Sequence, residues 1–85
     1  MANLRPTATE VVPFPNYEVL LRFDNGEVKV FDVSPYIEGN WYGKIGNPDY
    51  FKTVHCDGFT IAWQDGQDIC PDDVYYNSTP FEGEF

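Results

Sequence analysis

Apolar and polar residues alternate over residues 17–23, placing Tyr17, Val19, Leu21 and Phe23 on one side. A period of two predicts a half-buried β-strand. Residues 7–12 predict a shorter strand before it. Pro6 precedes this strand, and Pro13-Phe14-Pro15-Asn16 ends it, favouring an edge position and a turn. Asn25-Gly26 reads as a two-residue hairpin turn, in which both central residues take positive φ. That turn sets Asp24 opposite Glu27, Phe23 opposite Val28, Leu21 opposite Val30 and Leu20 opposite Phe31. Apolar positions then meet apolar positions, which a one-residue slip would disturb. The same register sets Arg22 opposite Lys29, a mildly unfavourable pair that Asp24 and Glu27 offset.

Two further turn signals, Asp57-Gly58 and Asp65-Gly66, divide residues 54–70 into a three-strand meander. Read as two-residue turns, they set Cys56 opposite Phe59, Val54 opposite Ile61, His55 opposite Thr60 and Trp63 opposite Asp68. They also set Ala62 opposite Ile69 and Ile61 opposite Cys70. Val54, Cys56, Phe59, Ile61, Trp63 and Cys70 would share the apolar face. The two cysteines would lie about 10 Å or more apart at ordinary strand spacing, too far for a disulfide, and are expected as buried free thiols.

Two short helices are expected. Asn47 caps the first, over residues 47–54, with Pro48 at its first position and Asp49 near its positive end. Pro71 opens the second, over residues 71–77, followed by Asp72 and Asp73. Ser34-Pro35 predicts another brief turn of helix, and Trp41 and Tyr42 fall in the loop-like stretch beyond it. Residues 79–85 read as a mobile polar tail. The predicted fold is α+β: an antiparallel hairpin and a three-strand meander, with two or three short helices packed on one face.

Length assigns residues 1–85 to one domain. Seven Phe, six Tyr and two Trp outweigh a thin aliphatic set, so the aromatics are expected to form the core. The formal net charge of −9 disfavours nucleic-acid backbones and anionic membranes, and it permits a basic protein partner. No apolar run approaches the length of a membrane span, and residues 1–6 carry no signal-peptide core. A cytoplasmic location is the expectation.

No catalytic, cofactor or metal constellation emerges. His55 is the single histidine, and Cys56 beside it points to the opposite sheet face. Asp65, Asp68, Asp72 and Asp73 cluster in sequence but lack the calcium-loop spacing; turn formation accounts for Asp65, and helix-end charge for Asp72 and Asp73.

The order of motifs resembles the DUF2442 family, small bacterial proteins of unknown function. It comprises Phe23-x-Asn25-Gly26-Glu27, Asp32-x-x-Pro35, a helix containing Phe51, and Ile61-Ala62-Trp63-Gln64-Asp65-Gly66. Asp68-Ile69-Cys70-Pro71-Asp72-Asp73-Val74-Tyr75 closes it. The resemblance spans residues 7–76 and implies a compact α+β domain. It supplies no catalytic residues. It implies a genomic neighbour of the DUF4160 type, in an arrangement like a toxin–antitoxin pair. Some family members carry a C-terminal helix-turn-helix, and direct operator binding through such a domain is not the expectation for residues 1–85.

The expected function is a non-enzymatic protein-binding or regulatory module, the antitoxin-like half of such a pair. Its partner would be a small basic protein, and self-association is compatible with that role. Trp41, Tyr42, Asp65 and Asp68 are the candidate partner-binding residues, and an exposed sheet edge is a second candidate surface. The alternative is a small-ligand binder or minor enzyme with an aromatic pocket between sheet and helices.

Overall fold

Glycine placement at the turns sets the register of both sheets. The computed structural model describes residues 5–83 and 85. At the first hairpin the Phe23 amide donates to the Glu27 carbonyl (2.8 Å), and the Gly26 amide donates to the Phe23 carbonyl (2.9 Å). The loop is therefore the three residues Asp24-Asn25-Gly26. Gly26 alone among them takes positive φ, at +91°. The expected two-residue turn required positive φ at Asn25 as well. The longer loop leaves only glycine in the left-handed region, where it carries no Cβ penalty. The Asn25 side chain reinforces the loop by accepting from the Glu27 amide at 3.0 Å.

The three-residue loop places β3 (Val28–Asp32) one residue away from the expected register against β2 (Glu18–Phe23). Arg22 now faces Val28, Leu21 faces Lys29, Leu20 faces Val30 and Val19 faces Phe31. The unfavourable Arg22–Lys29 pairing disappears. Arg22 instead pairs with Glu10 of β1 (Ala8–Pro13). Lys29 lays its ammonium 3.9 Å from the Tyr75 ring centroid and donates to the Tyr75 carbonyl. Phe31, rather than Val28 and Val30, joins Val19, Leu21 and Phe23 in the core.

The meander shows the same device. Trp63 donates to the Gln67 carbonyl (2.8 Å) and Gly66 to the Trp63 carbonyl (2.9 Å), with Gly66 at φ +96°. The loop is Gln64-Asp65-Gly66, and Ala62 faces Asp68 in a single bridge rather than a full third strand. The one-residue slip exchanges faces: Ile69 is buried and Cys70 is exposed, the reverse of the expectation. Between β4 (His55–Cys56) and β5 (Ile61–Ala62) the turn lies at Gly58-Phe59, with Gly58 at φ +97°. The Asp57 carboxylate fixes it by accepting from the Phe59 and Thr60 amides, each at 2.9 Å. Cys56 consequently faces Ile61 and His55 faces Ala62, a two-residue shift that preserves the faces. Phe59 leaves the apolar face for the turn tip, where it is 76% exposed. Both cysteines are free thiols, with Cys56 half-buried rather than fully buried.

The helices follow their punctuation. Asn47 accepts from the Asp49 and Tyr50 amides at the start of α2 (Pro48–Phe51), and α3 (Pro71–Tyr76) opens on Pro71. A 3-10 turn occupies Ser34–Tyr36. A short helix, α1 (Gly39–Tyr42), runs into a second 3-10 turn at Gly43–Gly46. Thr79–Pro80, expected to begin the tail, forms β6 against β3.

The strands order β1-β2-β3-β6 in one antiparallel sheet, and β4-β5 form a second. The helices and the small sheet pack on one face of the large sheet. Trp63, Phe23, Phe31, Leu21, Ile45 and Ile61 are fully buried there. The architecture is a compact α+β fold; its core cluster is mainly aliphatic, with Phe23, Phe31, Phe51 and Trp63 among its members, so the aromatics do not form the core alone as expected.

Candidate functional site

The hairpin of residues 63–67 and the segment of residues 41–44 are tied together by polar bonds. The Tyr42 hydroxyl donates to the Asp68 carbonyl at 2.8 Å. Lys44 pairs with the Asp65 carboxylate at 3.2 Å. Gln67, fully buried, donates its amide to the Trp41 carbonyl at 3.0 Å. The Tyr50 hydroxyl lies 2.8 Å from the Asp65 carboxylate and 2.9 Å from the Gln67 side-chain oxygen, and it accepts from the Asp65 amide. One hydroxyl proton thus serves two acceptors.

Trp41, Tyr42, Asp65 and Asp68 are therefore neighbours on one surface, although more than twenty residues separate the two pairs. Trp41 is 48% exposed, and the Lys44 ammonium lies 5.7 Å from its ring centroid. Gln67, the buried hub of the patch, carries no sequence signal. It lies next to a turn glycine, where an exposed amide is the ordinary expectation.

Three aspartates of the acidic cluster go separate ways. Asp65 binds Lys44 and Tyr50, Asp72 pairs with Arg5, and Asp73 accepts from the Tyr36 hydroxyl at 3.2 Å. Among the described residues no three acidic, cysteine or histidine side chains gather as a metal site.

A second feature lies where the β1–β2 loop meets α2. Pro13, Phe14, Pro15, Tyr17, Pro48, Phe51 and Lys52 line an apolar groove of about 260 Å³. Tyr17 takes φ +65°, the one non-glycine residue with positive φ among those described. For a bulky side chain this backbone is strained. Its hydroxyl donates to the Gly46 carbonyl, and its ring meets Phe51 edge-on at 5.3 Å. Lys52 is the one charged side chain among the lining residues. Nothing in the sequence marks Tyr17, because the groove closes only when residues 13–17 meet residues 48–52.

The family model described as protein of unknown function (DUF2442) matches residues 8–80 of the 85-residue chain. The chain belongs to the DUF2442 family. No curated protein and no solved structure matches it. The matched region of this DUF2442 domain runs from β1 to β6 and contains both the Trp41 patch and the Tyr17 groove.

Four residues of the closing motifs of this DUF2442 chain, from Ile61 to Tyr75, have structural duties. Trp63 and Ile69 are core residues, Gly66 holds the left-handed turn position, and Pro71 opens α3.

Three carboxylates of this DUF2442 domain hold turns in place and are more acidic than ordinary ones. Asp65 is lowered first by the Tyr50 hydroxyl and then by Lys44. Asp57 is lowered by the Thr60 and Phe59 amides, and Glu27 by Asn25 and then Tyr75. The unfolded chain binds protons at these groups more readily than the folded one. Their contribution is thus fully present above the unfolded values and is lost as pH falls through the lower folded values. Denaturant midpoints are expected to stay level above about pH 5 and to fall below about pH 4. Asp65→Asn should flatten that decline. A midpoint that rises on acidification would contradict the assignment.

Proposed function

We propose that this DUF2442 domain is a non-catalytic protein-binding and regulatory module of the bacterial cytoplasm. Its partner is a small basic protein of the DUF4160 type encoded nearby, and the domain serves as the antitoxin-like half of the pair. The observation that carries this reading is the patch that unites half-exposed Trp41 with Tyr42, Asp65 and Asp68. Tryptophan is enriched among residues that dominate binding energies, and here its backbone is held by a buried side chain.

Charge supports the same partner class. The three ion pairs among the described residues engage Arg5, Arg22 and Lys44. They offset three of fourteen acidic residues, leaving a large acidic excess for a basic surface to meet. The same excess opposes a polyanionic partner. Among the described residues no helix is long and apolar enough to cross a membrane.

Co-expression with the neighbouring gene product tests the proposal. The two chains are expected to co-elute at micromolar concentration. Trp41→Ala, judged folded by circular dichroism, should weaken the complex about 30-fold, corresponding to about 2 kcal/mol. Failure to co-elute, or a Trp41→Ala variant that binds like the parent, would overturn it.

A further inference from the structure

The groove between the β1–β2 loop and α2 combines an apolar wall with one uncommitted cation. Phe14, Tyr17 and Phe51 supply the aromatic wall, and Pro48 is part of its rim. Prolines fix their own φ, so the rim needs little ordering when something enters. Tyr17 is held in a strained backbone, with its hydroxyl already engaged by Gly46. The wall thus has shape, but its tyrosine has no hydroxyl proton to spare.

Lys52 is the exception in this chain. Arg5, Arg22 and Lys44 each face a carboxylate, and Lys29 binds the Tyr75 carbonyl and ring. Among the described residues, the Lys52 side chain alone of the basic groups makes no ion pair or hydrogen bond. Acidic residues outnumber basic ones fourteen to five, yet Lys52, unpaired among the described residues, lines an apolar groove.

We propose that the groove binds a small aromatic carboxylate, with the ring against Phe14, Tyr17 and Phe51 and the carboxylate on Lys52. Size agrees with this occupant. A cavity of about 150 Å³ accepts a benzene ring. The groove, at about 260 Å³, has room for a ring and a short acidic arm. It is smaller than the usual drug-sized pocket. This assignment is independent of the partner patch.

Phenylacetate, added to the isotope-labelled full chain and followed by amide chemical shifts, is the probe. Saturable shifts confined to residues 14–17 and 48–52 are expected, with an affinity on the order of 1 mM. Phenethylamine offers the same ring with the opposite charge. The net charge of −9 favours the amine everywhere on this protein, so a preference for the carboxylate is a local signature of Lys52. That preference should be about threefold, the scale of an exposed ion pair. Lys52→Gln, a surface change, should remove it while leaving weak binding of the ring. Absent or unsaturable shifts, shifts centred on other residues, or an amine that binds as well as the carboxylate would each overturn the proposal. Shifts at the groove that grow with protein concentration alone, as exposed Phe59 of a second copy entering it would produce, would overturn it too.

Discussion

Trp63→Ala is expected to leave the protein largely unfolded at room temperature. Trp63 is fully buried, packs on Phe51 at 6.1 Å between ring centroids, and donates its indole N–H to the Phe51 carbonyl at 3.0 Å. Phe51 in turn meets Tyr17, so one aromatic chain links the residue after β5, α2 and the β1–β2 loop. Truncating a buried tryptophan costs about 3–5 kcal/mol. Leaving the Phe51 carbonyl without its donor adds about 1–3 kcal/mol. A chain of this length has roughly 4–13 kcal/mol in total. Trp63→Phe separates the terms, because it keeps a ring and loses the hydrogen bond, and it should remain folded. Urea denaturation of both variants is the measurement. A Trp63→Ala variant whose midpoint matches the parent would contradict the central place given to this residue.

Gln67→Leu is the second large effect. Gln67 has no solvent exposure, and its amide is the donor to the Trp41 carbonyl. Its side-chain oxygen faces the Tyr50 hydroxyl, which also holds Asp65. Leucine fills similar space but leaves the Trp41 carbonyl unpaired, at a cost of about 2–3 kcal/mol. The loss falls on the segment that presents Trp41, so partner binding should weaken although Gln67 itself is buried. Binding measured at low temperature, with the variant fully folded, separates this positioning role from global destabilisation. Unchanged affinity under those conditions would assign Gln67 to stability alone. Hydrogen exchange should show faster opening of residues 41–44.

The two expected helix starts formed because their determinants are local. Asn47-Pro48-Asp49 and Pro71-Asp72-Asp73 start helices where a cap or proline and helix-end charge place them. The alternation of Tyr17, Val19, Leu21 and Phe23 correctly selects the core side of β2. The registers failed by one residue at Gly26 and Gly66 because Asn-Gly and Asp-Gly each serve two hairpin loops. In the three-residue loop only glycine enters the left-handed region. The chain did carry a discriminating sign: the two-residue reading set Arg22 against Lys29, whereas the observed register gives Arg22 a carboxylate.

At the candidate site, Trp41, Tyr42, Asp65 and Asp68 could be named from the chain only as candidate residues. Their proximity was not legible, because it depends on Gln67 and Tyr50 joining segments distant in sequence. The Tyr17 groove was illegible for the same reason, and its positive φ has no signature in a Pro-Asn-Tyr turn. Phe59 shows the opposite error, in which an aromatic counted toward the core sits at a turn tip.

The most direct test of the account is amide shift mapping of the labelled domain as its basic partner is added. The largest changes are predicted at residues 41–44 and 65–68, with the same changes reduced in Trp41→Ala. Changes confined to the opposite face of the large sheet, or none at saturating partner, would contradict the claim that this patch is the protein's working surface.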